Sequence, residues 1–387
     1  MTAYNHTGLD NIDIQGEARE ALPAGCITEE ENALIRQRHP IPFYTPNIYI
    51  RIGLFILTVI IILFSLGILA LMRIEGDDSF AVLLIVVGLI CLGMLEWLVY
   101  SKKHHQSGVD DALLWAGTSL LAMKIIFFAE PITFIVQCYL IGFLALYGAL
   151  RYIDRIMTLV VYGALLCIVF KTGTAAGAIG KAILPFVVMG VGVFLYLSAK
   201  MLSVNERYRL YRPCLVIIEF ASLFVFYAAG NYYVVRELNA LISDPPMSPG
   251  AGIPLGWLFW LFTVVVPLWY VYRGLMKKDR IFLWTGLLLI AAMIFTIRHY
   301  YHLLPVELMM TIGGILLISA VYACIKYLRT PRQGFTYEET NDRGLLENLH
   351  LESLVIAESF APVTPAPGSD LQFGGGSGGG GGAGGQY

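Results

Sequence analysis

Charge is scarce in this chain. Asp, Glu, Lys and Arg together make up 14% of its 387 residues, whereas they make up about 25% of an average soluble domain. Hydrophobic residues account for 57%, which is more apolar surface than one soluble core of this size can bury. The composition excludes an ordinary soluble globular domain. The chain also lacks a basic stripe with interleaved aromatics, so no nucleic-acid partner is expected.

Several chemical signatures are missing as well. The six cysteines include no CxxC pair, which argues against a disulfide framework or a zinc site. We find no GxSxG, HExxH or phosphate-loop motif. The sequence therefore predicts no catalytic residue, no metal site and no cofactor. The first 47 residues contain no early apolar run, so a cleaved signal peptide is not expected.

Long apolar runs are what the chain has instead. Ile52–Met72 contains no charged residue, and a helix of this length covers the roughly 30 Å hydrocarbon layer of a bilayer. Nine further runs follow it. The sequence predicts an all-α polytopic transmembrane helical bundle with about ten spans, at residues 50–72, 80–100, 111–129, 131–150, 156–171, 182–199, 213–235, 254–272, 281–297 and 303–325.

Lysines and arginines predict the orientation of these spans. With the N-terminus in the cytoplasm, 20 of the 26 basic residues fall in cytoplasmic segments, as the positive-inside rule requires. An even number of spans returns the C-terminus to the same side. The expected location is the inner (cytoplasmic) membrane of a bacterium, with both termini inside and the lipid bilayer as the surrounding partner.

Polar segments flank the predicted membrane domain of residues 48–327. Residues 1–47 form a cytoplasmic segment in which Thr28 and Glu31 fit a capping box, opening a short helix to about Arg38. Residues 328–373 form a tail with a short amphipathic helix at 344–358. Residues 374–387 are glycine-rich and expected to be disordered; the alternative is a tether that presents Tyr387 to a partner.

Ionisable residues inside spans are the main functional candidates, because each is costly in a bilayer. Glu219 lies deepest, Glu96 lies about one turn above the inner end of its span, and Lys124 lies near an outer end. Each has a structural alternative. Lys124 can extend outward to the interface, Glu96 can pair with Lys102 or Lys103, and Glu219 can form a hydrogen bond between helices.

A second cluster is predicted at the outer interface. It consists of four residues in the stretch RHYYHLLPVE, namely Arg298, His299, His302 and Glu307. The two histidines are three residues apart, as metal ligands on a helix can be, but a metal site needs further ligands. Pairing of Arg298 with Glu307 among interfacial tyrosines is the simpler interpretation. In the outer segment 171–181, glycines at 173, 177 and 180 favour close packing of helix ends.

Two stretches resemble known bacterial proteins. Residues 27–58, ITEEENALIRQRHPIPFYTPNIYIRIGLFILT, resemble the junction in an uncharacterised family of multi-pass membrane proteins, where a short N-terminal helix precedes a long hydrophobic domain of unknown function. The ending FGGGSGGGGGAGGQY is similar to the glycine-rich ends of some membrane-anchored proteins with a phosphatase-like domain. That resemblance implies membership of a common assembly and assigns no functional residue.

Three functions are compatible with the sequence. The favoured hypothesis is a binding or scaffold component of a membrane assembly, engaging protein partners through its two cytoplasmic segments. The first alternative is a secondary transporter or channel that uses Glu219 and Glu96. The second is an intramembrane enzyme acting on a lipid-linked substrate, for which Arg298–Glu307 is the candidate region.

Overall fold

The architecture is a bundle of helices. The computed structural model describes residues 2–71, 77–128, 132–242 and 253–300, together with a few positions between 311 and 326. Within these ranges the regular elements are helices, apart from one backbone bridge between Tyr44 and His104. A short 3₁₀ segment, Glu206–Tyr211, precedes α9. The helices are α1 (His6–Ala21), α2 (Glu29–Arg38), α3 (Ile48–Leu71), α4 (Asp77–Lys102), α5 (Val109–Phe127), α6 (Phe134–Tyr152), α7 (Arg155–Ala175), α8 (Gly177–Val204), α9 (Arg212–Gly230), α10 (Tyr232–Ile242), α11 (Gly256–Lys277) and α12 (Arg280–Tyr300).

Eight of these helices are long and apolar enough to cross a bilayer, by length and composition. The all-α prediction is confirmed, but the count in the described residues is eight rather than ten. The third expected span forms α5, whose Asp110, Asp111 and Lys124 make it too charged to join the eight. The tenth, 303–325, lies outside the described residues except for isolated positions.

Several predicted boundaries were wrong, among them both ends of the sixth span, which was expected at 182–199 and is formed by the longer α8. The seventh span, expected at 213–235, is interrupted because Asn231 adopts an extended conformation between α9 and α10. Its Oδ1 accepts hydrogen bonds from the backbone N–H groups of Tyr233 (2.9 Å) and Val234 (3.2 Å), which caps α10. The fifth span is longer than expected, since α7 continues to Ala175. Much of the expected outer segment 171–181 is therefore helical.

Neighbours in the chain form the tightest helix pairs. The most extensive interfaces join α4 to α5, α6 to α7, α8 to α9 and α11 to α12. At the last of these, an added Cβ on Gly274 would lie 2.7 Å from the backbone nitrogen of Leu283. Gly286 approaches the backbone of Val271 as closely. Small residues allow membrane helices to meet at backbone distance, where dispersion contacts are strongest.

Close packing also joins α7 to α8. An added Cβ on Gly180 would overlap the carbonyl oxygen of Gly173, and one on Gly173 would lie 2.6 Å from Cδ1 of Leu184. The predicted packing of these helix ends is confirmed at Gly173 and Gly180. Gly177, which begins α8 with a φ of +75°, meets no neighbour within 4 Å. Its role is conformational, because left-handed backbone is cheapest for glycine.

The N-terminal segment, residues 2–47, folds onto one end of the bundle. The Ala3 N–H donates to the Arg151 carbonyl (2.8 Å), and the Tyr44 N–H donates to the Lys103 carbonyl (3.0 Å). Asp10 on α1 forms an ion pair with Arg209. These contacts reach three different connections between helices. The segment therefore lies across the bundle end from which α5, α7 and α9 begin.

The two helices of this segment differ in how well the sequence predicted them. The capping box that opens α2 is confirmed, because the Thr28 N–H donates to Glu31 Oε2 (2.8 Å) and the Glu31 N–H donates to Thr28 Oγ1 (3.2 Å). Helix α1 was not expected. Its sequence, HTGLDNIDIQGEAREA, has almost no apolar periodicity. Packing of Gly8 against Phe43 and the Asp10–Arg209 pair hold it in place.

Candidate functional site

A polar cavity of about 740 Å³ lies between α1 and the bundle end. Its volume is within the range of small-molecule sites. Its wall combines residues from α1, the start of α3, the α4–α5 connection, the α6–α7 connection and the 3₁₀ segment. The polar and aromatic side chains that line it are Tyr4, Asp13, Glu17, Glu20, Arg51, His105, Gln106, Asp110, Asp111, Trp115, Tyr152, Asp154, Arg155, Arg209 and Arg212.

The α4–α5 connection forms one side of the polar cavity. Asp110 Oδ1 accepts hydrogen bonds from the backbone N–H (2.8 Å) and the hydroxyl (3.0 Å) of Ser107. Gly108 has a φ of +89°, and an added Cβ would overlap the carbonyl oxygen of Arg51. Glycine lets this loop reach the α3 backbone, and Arg51 then donates two hydrogen bonds to Asp111, at 3.1 and 2.6 Å.

Asp154 organises the opposite side. Its Oδ1 accepts from the Met157 N–H (2.7 Å), which caps α7, and its Oδ2 accepts from Trp115 Nε1 (3.2 Å). Its backbone carbonyl accepts from the Thr158 hydroxyl (2.8 Å). One aspartate thus ties α5 to the start of α7. The donors to the Asp154 side chain are neutral groups, and within the described ranges no lysine or arginine forms an ion pair with it.

His105 is a buried polar residue in the cavity wall with a hydrogen-bonding position that is unused within the described residues. The residue is 8% exposed, and its Nδ1 has no hydrogen-bond partner in the described part of the chain. The ring packs edge-on against Tyr4, with centroids 4.5 Å apart, and near Phe43 at 5.5 Å. Burial lowers the pKa of His105, and Asp110 only partly opposes this shift. The ring is therefore held in its neutral form at neutral pH.

The cavity can hold a polar ligand but offers no assembled metal site. Asp13, Glu17 and Glu20 on α1 and Arg155 at the start of α7 line the cavity and are exposed. A wall with charges of both signs suits a polar ligand that carries both signs. The described residues contain no group of three or more His, Cys, Asp or Glu side chains that could hold a metal ion.

No sequence pattern pointed directly to this cavity, because its residues come from five separated stretches. The functional candidates predicted from the sequence were instead mainly charged residues inside the spans. A usable signal lies in the short connections SKKHHQSGVDD and RYIDR, where acidic and basic residues occur side by side. Such mixed-charge connections between apolar spans indicate specific pairing rather than simple attraction to lipid headgroups.

Glu219 is the most buried of the functional candidates identified from the sequence, and its carboxylate pairs with a lysine of another helix. The residue is 2% exposed. Lys200 Nζ on α8 lies 3.4 Å from Glu219 Oε2 and 3.2 Å from Asp279 Oδ2. Asp279 also caps α12 by accepting from the Ile281 N–H (3.1 Å). One lysine therefore connects α8, α9 and the α11–α12 turn, in keeping with a structural role for Glu219.

Glu96 has a different partner from the one expected. Arg151 forms an ion pair with it and donates from Nη2 to Glu96 Oε2 at 2.8 Å. The hydroxyls of Tyr152 (2.5 Å) and Tyr147 (3.4 Å) donate to Oε1. The expected pairing with Lys102 or Lys103 is thus replaced by α6 residues that sequence reasoning missed. Neither Glu96 nor Glu219 lines the polar cavity.

The remaining candidates are not brought into one site. Lys124 lies half-buried in the last turn of α5. Arg298 and His299 end α12, where the His299 ring packs against Tyr233 at 4.9 Å and Phe295 at 6.2 Å. His302 and Glu307 lie outside the described residues. The Arg298–Glu307 pairing and a functional role for any of these residues therefore stay predictions.

Comparison with other proteins identifies no relative. No family model, no curated protein and no solved structure matches the chain. The class of protein therefore rests on the eight apolar helices. The chain is a multi-pass membrane protein. Its activity has to be argued from the arrangement of its own residues.

The Lys200 network predicts a specific pattern of stabilities. Lys200→Met leaves the Glu219 carboxylate buried without a cation and is expected to cost about 1–3 kcal/mol, because Lys200 is itself half exposed. Lys200→Met combined with Glu219→Gln should recover part of this loss, since the buried charge at 219 is removed. Asp279 still lacks its lysine in this double variant. Thermal unfolding in detergent measures both. Lys102→Met is the control, and a fully stable Lys200→Met protein would contradict the network.

His105 predicts that stability depends on pH. An unfolded histidine has a pKa of about 6.5, whereas burial holds the folded value lower. The unfolded state therefore binds the proton first, so stability is complete above about pH 6.5 and falls as the pH drops below it. Melting temperatures measured between about pH 7.5 and 5.5 should decline, because each unit of pKa difference corresponds to as much as about 1.4 kcal/mol of unfolding free energy.

Two histidine variants isolate this effect. His105→Phe keeps an aromatic ring against Tyr4 and Phe43 and should remove most of the decline. His6→Gln, at an exposed position on α1, should leave it unchanged. An equal decline in the His105→Phe protein would assign the pH dependence to other groups.

Proposed function

We propose that this chain is a binding or scaffold component of a membrane assembly, and that its N-terminal segment is the partner-binding element. The observation that carries the proposal is the exposure of α2 on a segment docked to the bundle. Among the α2 residues, Asn32 is buried and Ile35 half-buried, while the others are exposed. Leu34 is 57% exposed, beside three glutamates at the start of the helix.

An exposed helix of this kind is suited to recognition. A polar ten-residue helix has little stability of its own in water, yet α2 is held by its capping box and by the contacts around it. Gln15 Nε2 donates to the His39 carbonyl (2.6 Å) and Asn11 Nδ2 donates to the Pro40 carbonyl (2.9 Å). A partner therefore meets a surface that is already ordered, which lowers the entropy lost on binding.

The paired charges favour a scaffold over a transporter. Transport through the bundle needs a polar route on which intramembrane charges are accessible. Glu96 is occupied by Arg151, and Glu219 is occupied by Lys200. Both carboxylates join helices to one another, which is the role of a fixed framework. The intramembrane enzyme alternative has no comparable support, since half of its residues lie outside the described ranges.

The proposal includes ten spans with both termini in the cytoplasm of a bacterial cell. Contacts at the N-terminal segment support α5 as a span. Lys103, at the end of α4, and Arg151, at the end of α6, both contact this segment. The chain must therefore run away from this end of the bundle along α5 and come back to it along α6. Both have 19 residues, or about 28 Å of helix, so α5 reaches as far as α6.

Reporter fusions test this topology. Fusions within 101–110 and after Arg332 should report a cytoplasmic location, and fusions within 236–253 should report a periplasmic one. The physical reason is the bias of lysine and arginine toward the cytoplasmic segments. A periplasmic location after Arg332 would contradict the ten-span arrangement.

Photo-cross-linking in living cells tests the binding role. A photoreactive amino acid at Leu34 or Glu30, both exposed on α2, should give a discrete protein adduct of higher mass. The same group at Phe143, which is 75% exposed on the span α6, faces lipid and serves as the control. Charge reversal at Glu29 and Glu30, which are exposed and lie outside the Thr28–Glu31 capping box, should weaken the Leu34 adduct. Absence of any protein adduct from α2 would contradict the proposal.

A further inference from the structure

A second cavity, of about 970 Å³, lies at the end of the bundle remote from the N-terminal segment. We call it the apolar cavity. Helices α7, α8, α9 and α10 and the start of α11 surround it. Its wall is formed mostly by aliphatic and aromatic side chains, among them Phe170, Pro185, Val225, Leu238 and Phe259. The few polar groups in the wall include two lysines, Lys171 and Lys181.

Two interruptions of regular helix border the apolar cavity. Pro185 lies inside α8 and cannot donate the hydrogen bond that the Lys181 carbonyl would otherwise accept. Asn231 ends α9 and starts α10, a short and strongly amphipathic helix of the kind found at membrane interfaces. On α10, Val235 is buried against Phe259, while Leu238 lines the cavity.

The apolar cavity opens toward lipid. Cys167, Ala178 and Ala182 line it and are nevertheless exposed. All three belong to helices that are candidate spans. The surroundings of such side chains in the native protein are acyl chains rather than water. A lipid tail can therefore enter from the bilayer without crossing a polar barrier.

The two lysines mark the headgroup end of this opening. Lys171 lies in the last turns of α7 and Lys181 in the first turns of α8, and the contact of Gly173 with Gly180 brings these helix ends together. Lys171 Nζ lies 5.0 Å from the centre of the Phe134 ring. Lys181 Nζ donates to the Ile242 carbonyl (2.5 Å). Neither lysine has a carboxylate partner among the residues that the structure describes.

We propose that the apolar cavity binds an anionic phospholipid, with an acyl chain between α8 and α10 and the headgroup phosphate at Lys171 and Lys181. Acyl chains are as apolar as the cavity wall, so the tail contributes shape complementarity rather than discrimination. Discrimination comes from charge, because each lysine near the membrane surface attracts an anionic headgroup. This inference does not depend on the scaffold role.

Native mass spectrometry of the full chain tests this proposal. The protein is released from nanodiscs containing equal amounts of phosphatidylglycerol and phosphatidylethanolamine. The wild-type protein should retain phosphatidylglycerol in preference. Lys171→Gln with Lys181→Gln should lower the preference about thirtyfold, because two lysines no longer attract the net negative charge that phosphatidylglycerol carries and phosphatidylethanolamine does not. Lys171→Arg with Lys181→Arg should keep it. Ala182→Trp, which keeps both charges and narrows the cavity, should lower retention of both lipids.

Matched controls separate this site from general attraction to basic residues. Lys102→Gln with Lys103→Gln removes two exposed lysines at the opposite end and should leave the preference unchanged. If the double variant at 171 and 181 does not fold, Lys171→Gln alone provides the test, because Lys171 is exposed. Equal retention of the two lipids by wild-type protein would overturn the proposal. So would an unchanged preference in the Lys171 and Lys181 variants, or an equal loss in the Lys102 and Lys103 control.

Discussion

The bilayer provides no water to a buried charge, and this constraint organises the bundle. A carboxylate inside a span has to find a cation or several donors within the protein. Lys200 meets this need for Glu219 and also pairs with Asp279 in the α11–α12 turn, and Arg151 meets it for Glu96. Because each partner comes from another helix, satisfying the charge also positions the helices. Breaking one pair would therefore disturb helix packing as well as electrostatics.

The same constraint has a different outcome at the bundle end, where water is available. Here Arg51, Asp111 and Asp154 join connections between helices, and the N-terminal segment lies over them. Pairing is incomplete at this end, because His105 Nδ1 has no partner among the described residues and Asp13, Glu17 and Glu20 of α1 are exposed. The charge pairs between the spans thus support a bundle end that is richer in exposed charged groups. This arrangement supports the proposal that the N-terminal segment presents a binding surface to partners.

The two ends of the bundle differ in chemistry. The end that carries the N-terminal segment has a polar cavity with charges of both signs, whereas the remote end has an apolar cavity with two lysines. Pro185 and Asn231 interrupt regular helix beside the apolar cavity, and at Asn231 side chains accept hydrogen bonds from the freed backbone N–H groups. Tyr232 N–H, for example, donates to Thr263 Oγ1 at 3.0 Å. Irregular backbone at membrane depth is tolerated when protein surrounds it in this way.

Composition and local pattern were sufficient to predict the all-α membrane class, the approximate positions of nine described helices and the capping box at Thr28 and Glu31. These properties depend on apolar run length and on contacts within a few residues of one another. The sequence did not reveal α1, the break at Asn231 or the polar cavity. Nor could it show that Arg151 and Lys200 are the partners of Glu96 and Glu219. Those features arise where separate helices meet, and the free energy of pairing a buried charge depends on distances that only the tertiary structure determines.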